Sequence, residues 1–140
     1  MKFVAYKNRF GKRLVLLESV MWRFADMAAN LETQGVTVEM TDGWRGSAEQ
    51  EKAFINGNSK ARFGNSPHNY GAAFDCAPII SGKLCWPDDK TLWNTIGKAG
   101  MAAGLDWGGN FKSIIDNPHF ELPAWRNLGL ALQYTEPPVE

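Results

Sequence analysis

The chain has 140 residues, 44% of them hydrophobic and 21% charged, a size and balance that suit one domain with a sizeable core and exclude a disordered or collagen-like chain. Its 15 basic and 15 acidic residues cancel, which excludes a global electrostatic pull toward nucleic acid or an anionic membrane. No apolar run approaches the ~20 residues that span a bilayer. The segment at 14–17 is interrupted by Glu18 and lacks the core and cleavage site of an export signal, so residence in the cytoplasm of synthesis is expected. Cys76 and Cys85 are then expected as free thiols, Cys76 in the core.

Taken in order, residues 1–6 read as a short strand or ordered arm, followed by a turn around Gly11. Over 14–31, Leu17, Met21, Phe24, Ala28 and Leu31 recur at helical spacing, which predicts an amphipathic helix stopped by Gln34 and Gly35. Residues 36–41 alternate Val36, Val38 and Met40 against Thr37, Glu39 and Thr41, the pattern of a strand with one buried face. After Asp42-Gly43-Trp44-Arg45, Ser47 is a candidate cap for a helix to about residue 55, with Gln50 completing a capping box. Residues 57–67 are a Gly/Asn/Ser-rich loop, 72–77 a strand, and 79–86 a hairpin around Ser81-Gly82. Asp88 or Asp89 caps a helix carrying Leu92, Ile96, Ala99 and Ala103 and ending at Gly104. A turn at Trp107-Gly108-Gly109, a short last helix over 122–132 and a frayed tail at 136–140 complete the reading. No repeat or linker divides the chain, so residues 1–140 are expected to form a single domain.

Chemistry concentrates in two motifs that hold both histidines of the chain, His68 seven residues before Asp75, and His119 three residues after Asp116. A strand over 72–77 turns Ala73, Asp75 and Ala77 to one face and Phe74 and Cys76 to the other; a strand over 119–122 separates His119 and Glu121 from Phe120 and Leu122 in the same way. If those strands are neighbours, Asp75 and His119 aim at one point, and Gly71 lets the loop bring His68 to it. His68, Asp75 and His119 form the N/O donor set of a catalytic zinc site with one position left for water. Arg45, between a strand end and a helix start, suits either a carboxylate or developing oxyanion, or a surface ion pair.

The pattern Ser-x-His-x-x-Gly-x-Ala-x-Asp at 66–75, followed by Asp-x-x-His-Phe-Glu-Leu at 116–122, resembles the zinc peptidases of the D-alanyl-D-alanine carboxypeptidase and L-alanyl-D-glutamate peptidase family. Bacteriophage endolysins of the latter type are the nearest likeness. Gly43-Trp44-Arg45-Gly46-Ser47-Ala48-Glu49-Gln50 and Gly104-Leu105-Asp106-Trp107-Gly108-Gly109 are similar to two further family segments in the expected order, so the likeness covers about 41–122. It implies an α+β fold, a small central mainly antiparallel sheet with flanking helices and the metal in a cleft.

The resemblance also implies one zinc ion on His68, Asp75 and His119, with Asp116 as general base and Arg45 at the oxyanion or a substrate carboxylate. Gln50, Ser66 and Trp107 become substrate-contact candidates, and Glu121 an acceptor that orients His119. The implied partner is the stem peptide of bacterial peptidoglycan, cut between L-alanine and D-glutamate by a monomer. That activity would follow synthesis in the host cytoplasm and passage through a permeabilised membrane. No separate wall-binding domain is expected. Lys2, Lys7, Arg9, Lys12 and Arg13 read as a solvated basic end, with weak attraction to the anionic wall as the alternative. A D-alanyl-D-alanine carboxypeptidase or dipeptidase and a non-enzymatic zinc module are the rival readings.

Overall fold

A computed structural model describes residues 2–140; Met1 of the expected first strand lies outside them. Strands β1 (Phe3–Lys7) and β2 (Arg13–Leu17) form an antiparallel hairpin with Phe3 opposite Leu17, turned at Gly11 with φ +86°. Residues 14–17, expected as helix, are therefore strand. All four are buried, and a short apolar run without a polar face does not distinguish the two periods. Helix α1 (Glu18–Thr33) begins only after them and buries Val20, Phe24, Met27 and Leu31.

The main sheet has five strands. β3 (Val38–Asp42) pairs with β4 (Ala73–Ile80), β4 with β7 (His119–Glu121), and β7 with β6 (Asp106–Trp107). β5 (Lys83–Leu84) returns along the end of β4 through Ser81 and Gly82, both at positive φ. Every pairing in this sheet is antiparallel, as the α+β expectation requires. α2 (Ser47–Ile55) follows β3, and α3 (Lys90–Ala102) starts where the Asp89 carboxylate accepts from the Leu92 backbone N–H.

Facing residues hold sheet and helices together. Phe74 and Phe120 are opposite in register and stack with ring centroids 5.5 Å apart, while Phe24 of α1 meets Phe74 edge-on at 5.1 Å. On α3, Gly97 and Gly100 let the helix backbone approach: a Cβ at Gly97 would lie 2.3 Å from Trp107, and one at Gly100 2.2 Å from Phe120. Strand alternation then turns Asp75 and His119 to the opposite face, away from this aromatic layer.

Several local expectations change because distant segments cover or dock. Glu39 is 3% exposed rather than solvated, since the β1–β2 hairpin lies over it and both the Tyr6 hydroxyl and the Arg9 backbone N–H donate to its carboxylate. Ser47 does not cap α2; Gly46 stands at the N-cap, and Gln50 turns inward. The last helix is one short turn, Trp125–Asn127, with Ala124 and Gly129 at positive φ. The tail is docked rather than frayed: Val139 bridges to Phe3, and Arg13 pairs with Glu136.

Gly97→Ala separates packing from propensity. Propensity alone would make the change stabilising by about 1 kcal/mol, whereas overpacking against Trp107 is expected to leave the variant about 1–3 kcal/mol less stable. Urea unfolding reads the sign, and a raised midpoint would contradict the close approach of α3.

Candidate metal centre

His68 is carried by a tight turn, Pro67–Tyr70. The Ser66 hydroxyl accepts from the His68 backbone N–H at 3.3 Å, and Asn69 Oδ1 accepts from Ser66 N at 3.2 Å and Gly64 N at 2.9 Å. Gly71 ends the turn at φ +71°, where any Cβ would stand 2.7 Å from the Phe3 ring. The imidazole is thus a fixed element, 2% exposed, and not a loose loop residue.

The partners of the two rings decide which nitrogen of each faces the centre. His68 Nδ1 lies 2.8 Å from the Gly43 carbonyl oxygen, so Nδ1–H donates outward and Nε2 faces inward. His119 Nε2 lies 2.7 Å from Glu121 Oε1, so Nε2–H donates outward and Nδ1 faces inward. These two nitrogens stand 3.3 Å apart. Asp75 Oδ1, delivered by the direct pairing of Asp75 with His119 across β4 and β7, stands 3.3 Å from His119 Nδ1 and 3.5 Å from His68 Nε2.

Three potential ligand atoms at the corners of a nearly regular triangle make a site for a cation, a proton on His119 or a metal ion in its place. Bonds of about 2.0–2.1 Å at the tetrahedral angle put ligand atoms about 3.3–3.4 Å apart, which agrees with all three edges. The donor set therefore fits one small metal ion. Electrostatics agree: burial would raise the Asp75 carboxyl, but the imidazoles of His68 and His119 hold it well below its ordinary range. Burial would lower His119, yet its hydrogen bonds to Asp75 and Glu121 and their charges raise it to about 10. The protein alone thus already favours positive charge at this point.

Around the triangle, Arg45 is the organising side chain. Its Nε donates to Asp42 Oδ2 at 2.7 Å, one terminal nitrogen to Gln50 Oε1 at 3.3 Å, and the other to Asp75 Oδ2 at 3.2 Å. A bulge in β3 sets Asp42 opposite Asp75, and the guanidinium separates two carboxylates that would otherwise repel. Three of its five N–H groups are used; Arg45 also lines both clefts beside the centre. Asp116 lines the same two clefts. Its segment is pinned by the Asp116 N–H to the Gly108 carbonyl at 3.0 Å, an approach that only glycine permits, since a Cβ at Gly108 would lie 2.2 Å from the Asp116 oxygen. Burial and then the charge of Asp75 push the Asp116 carboxyl up, against the lowering influence of His119, His68 and Arg45.

The remaining sequence candidates fall into supporting positions. Gln50 is fully buried and bonds to Ser59, Ala61, Arg45 and Asn69, so it braces the site. Trp107 is buried against α3 with its indole N–H on the Asn117 carbonyl at 2.8 Å; it shapes the Asp116 loop from beneath, and neither residue lines the two clefts. Ser66 is buried and caps the His68 turn. Sequence reasoning missed Asp42, Asn69 and the Gly43 carbonyl. Asp42 follows an alternating strand and precedes Gly43-Trp44-Arg45, a signal that was readable; the buried amide of Asn69 left none.

Three side chains able to hold a metal on a small antiparallel sheet, with a carboxylate and a guanidinium beside them, are the arrangement of an α+β metallopeptidase. Residues 59–122 match the family model described as D-alanyl-D-alanine carboxypeptidase, a span containing His68, Asp75, Asp116, His119 and Glu121. It is 31% identical over 111 residues to the peptidoglycan L-alanyl-D-glutamate endopeptidase CwlK of Bacillus subtilis, covering 69% of this chain and 66% of that protein, so it spans just under two thirds of that relative's length. Among solved structures, the L-Ala D-Glu endopeptidase ChiX of Serratia marcescens superposes with TM-score 0.54 at 28% identity, over 62% of this chain and 67% of that one. A vancomycin-resistance D,D-pentapeptidase VanY in complex with Zn(II) superposes with TM-score 0.64 over 87% of this chain and 79% of that one, at 13% identity, a likeness of fold.

The N/O donor set selects transition ions over magnesium. Zinc or cobalt at about 100 times the dissociation constant should stabilise the fold by about 2.7 kcal/mol, seen as a raised thermal midpoint, and magnesium should not. His119→Ala is expected to abolish the zinc response; an undiminished response would place the ion elsewhere.

Proposed function

We propose that this chain is a zinc-dependent peptidoglycan endopeptidase that hydrolyses the L-alanyl-D-glutamate bond of the stem peptide. The observation that carries the reading is the convergence of three metal-ligating side chains, His68, Asp75 and His119, with Asp116 in the adjoining cleft. The activities for which CwlK and ChiX are named support the choice of bond.

One zinc ion would be held by His68 Nε2, Asp75 Oδ1 and His119 Nδ1. When bound, it supplies Lewis acidity, polarising the scissile carbonyl and acidifying a water toward a pKa of about 7. Asp116 accepts the proton of the attacking water and returns it to the leaving amine. A carboxyl raised above its ordinary range performs both steps better than one held low. Arg45 keeps Asp75 directed through one oxygen and turns its remaining N–H groups to the carbonyl oxygen as negative charge develops there. Glu121 fixes the His119 tautomer and ring plane.

A second reading, D-alanyl-D-alanine carboxypeptidase, is favoured by the description of the matching family model; it shares the metal, base and guanidinium but removes a terminal D-alanine. A purely structural zinc module has no use for Asp116 at the cleft. The role in host lysis, with action at the wall after membrane passage and as a monomer, rests on the sequence likeness to phage endolysins. No helix among the described residues is long and apolar enough to cross a membrane.

Mass spectrometry of peptidoglycan digested by the zinc-loaded protein tests the reading. New termini at L-alanine and D-glutamate are expected, and Asp116→Asn should keep metal and fold while turnover falls about 10²–10⁴-fold. Release of D-alanine alone would transfer the assignment to the carboxypeptidase, and full turnover by Asp116→Asn would remove Asp116 from the base role.

A further inference from the structure

The two clefts that meet at the metal centre differ in charge. One, of about 550 Å³, mixes Lys12 and Lys52 with Asp42 and Glu49 and is lined also by the exposed Trp86. The other, of about 950 Å³, is lined beyond the centre's own Arg45, Asp116 and Glu121 by Lys60, Arg62 and Arg126, with no further carboxylate.

Two of these cations are placed by the same segments that build the site. Arg126 stacks its guanidinium over the Trp125 ring at 4.4 Å and donates to the Asn65 carbonyl at 3.2 Å, one residue before the Ser66 cap of the His68 turn. Stacking and this hydrogen bond preorganise the guanidinium, so little side-chain freedom is lost when it meets an anion. Lys60 stands between Ser59 and Ala61, both bound to the buried Gln50 that supports Arg45; among the described residues no carboxylate pairs with it. Arg62 differs, since its guanidinium is shared with Glu51 at 3.4 Å.

The substrate has a matching asymmetry. D-glutamate is linked onward through its side-chain carboxyl, so its α-carboxylate stays free two bonds from the scissile nitrogen. The lactyl-alanyl half on the other side of that bond carries no charge.

We propose that the larger cleft is the subsite for the carboxylate-bearing leaving half of the substrate, with Lys60 and Arg126 as the residues that read the free α-carboxylate. The substrate then lies across the metal in one direction, its uncharged half toward Trp86. This rests on the endopeptidase reading for the identity of the peptide but on the cleft alone for its charge.

The test is calorimetric titration of the zinc-loaded protein with γ-D-glutamyl-L-lysine and with its α-amide, in wild type and in the Lys60→Gln/Arg126→Gln double variant, with thermal midpoints confirming that the variant folds. The acid should bind about tenfold more tightly than the amide in wild type, as a charge-assisted contact predicts, and the ratio should fall to within about twofold in the variant. Equal binding of acid and amide by wild type, no binding of the acid, or a preference retained by the variant overturns the proposal. Hydrolysis of L-alanyl-γ-D-glutamyl-L-lysine in the same samples separates the two claims. Charge-dependent binding without cleavage sinks the endopeptidase reading and leaves the anion subsite, and cleavage without charge preference does the reverse.

Discussion

The pairing of Asp75 with His119 across two antiparallel strands is the constraint on which the site depends. The register that stacks Phe74 on Phe120 on one face sets the carboxylate and imidazole together on the other. A slip of one residue would reverse both faces together, losing the aromatic layer and the metal ligands in the same step. The packing of α1 and α3 onto the phenylalanines therefore does more than stabilise the domain. It holds Asp75 and His119 at the separation that a tetrahedral ion would require.

His68, the third member of the donor group, comes from outside the sheet and is positioned by other means. Ser66, Asn69 and Gly71 close the His68 turn, and the Gly43 carbonyl chooses which ring nitrogen faces the centre. Arg45 then joins the halves, since its backbone N–H bonds to the His68 carbonyl at 3.1 Å while its side chain holds Asp75. The arginine that lines both clefts is also the brace between turn and sheet. A loss of metal and a loss of turnover at this position would share one cause.

What the sequence disclosed was whatever depends on short periods. Alternation separated Asp75 from Phe74 and His119 from Phe120, Ser81-Gly82 marked its hairpin, and Asp89 marked the start of α3. Features decided by contacts between distant segments stayed hidden. Residues 14–17 became strand because β1 pairs with them, and Glu39 is buried because the same hairpin folds over β3. Gln50 and Trp107 looked like substrate contacts because they stand in motifs; their partners, Ala61 and Asn117 among them, turn them inward. Within those motifs, polar residues that touch a substrate and those that hold the ones that do read alike until burial is known.

X-ray absorption at the zinc edge of the loaded protein tests the central claim most directly. The account predicts one zinc per chain in a four-coordinate shell of nitrogen and oxygen at about 2.0–2.1 Å, with the outer-shell scattering of two imidazoles. A sulfur shell at about 2.3 Å, which Cys76 or Cys85 would supply, or only one imidazole, would contradict it.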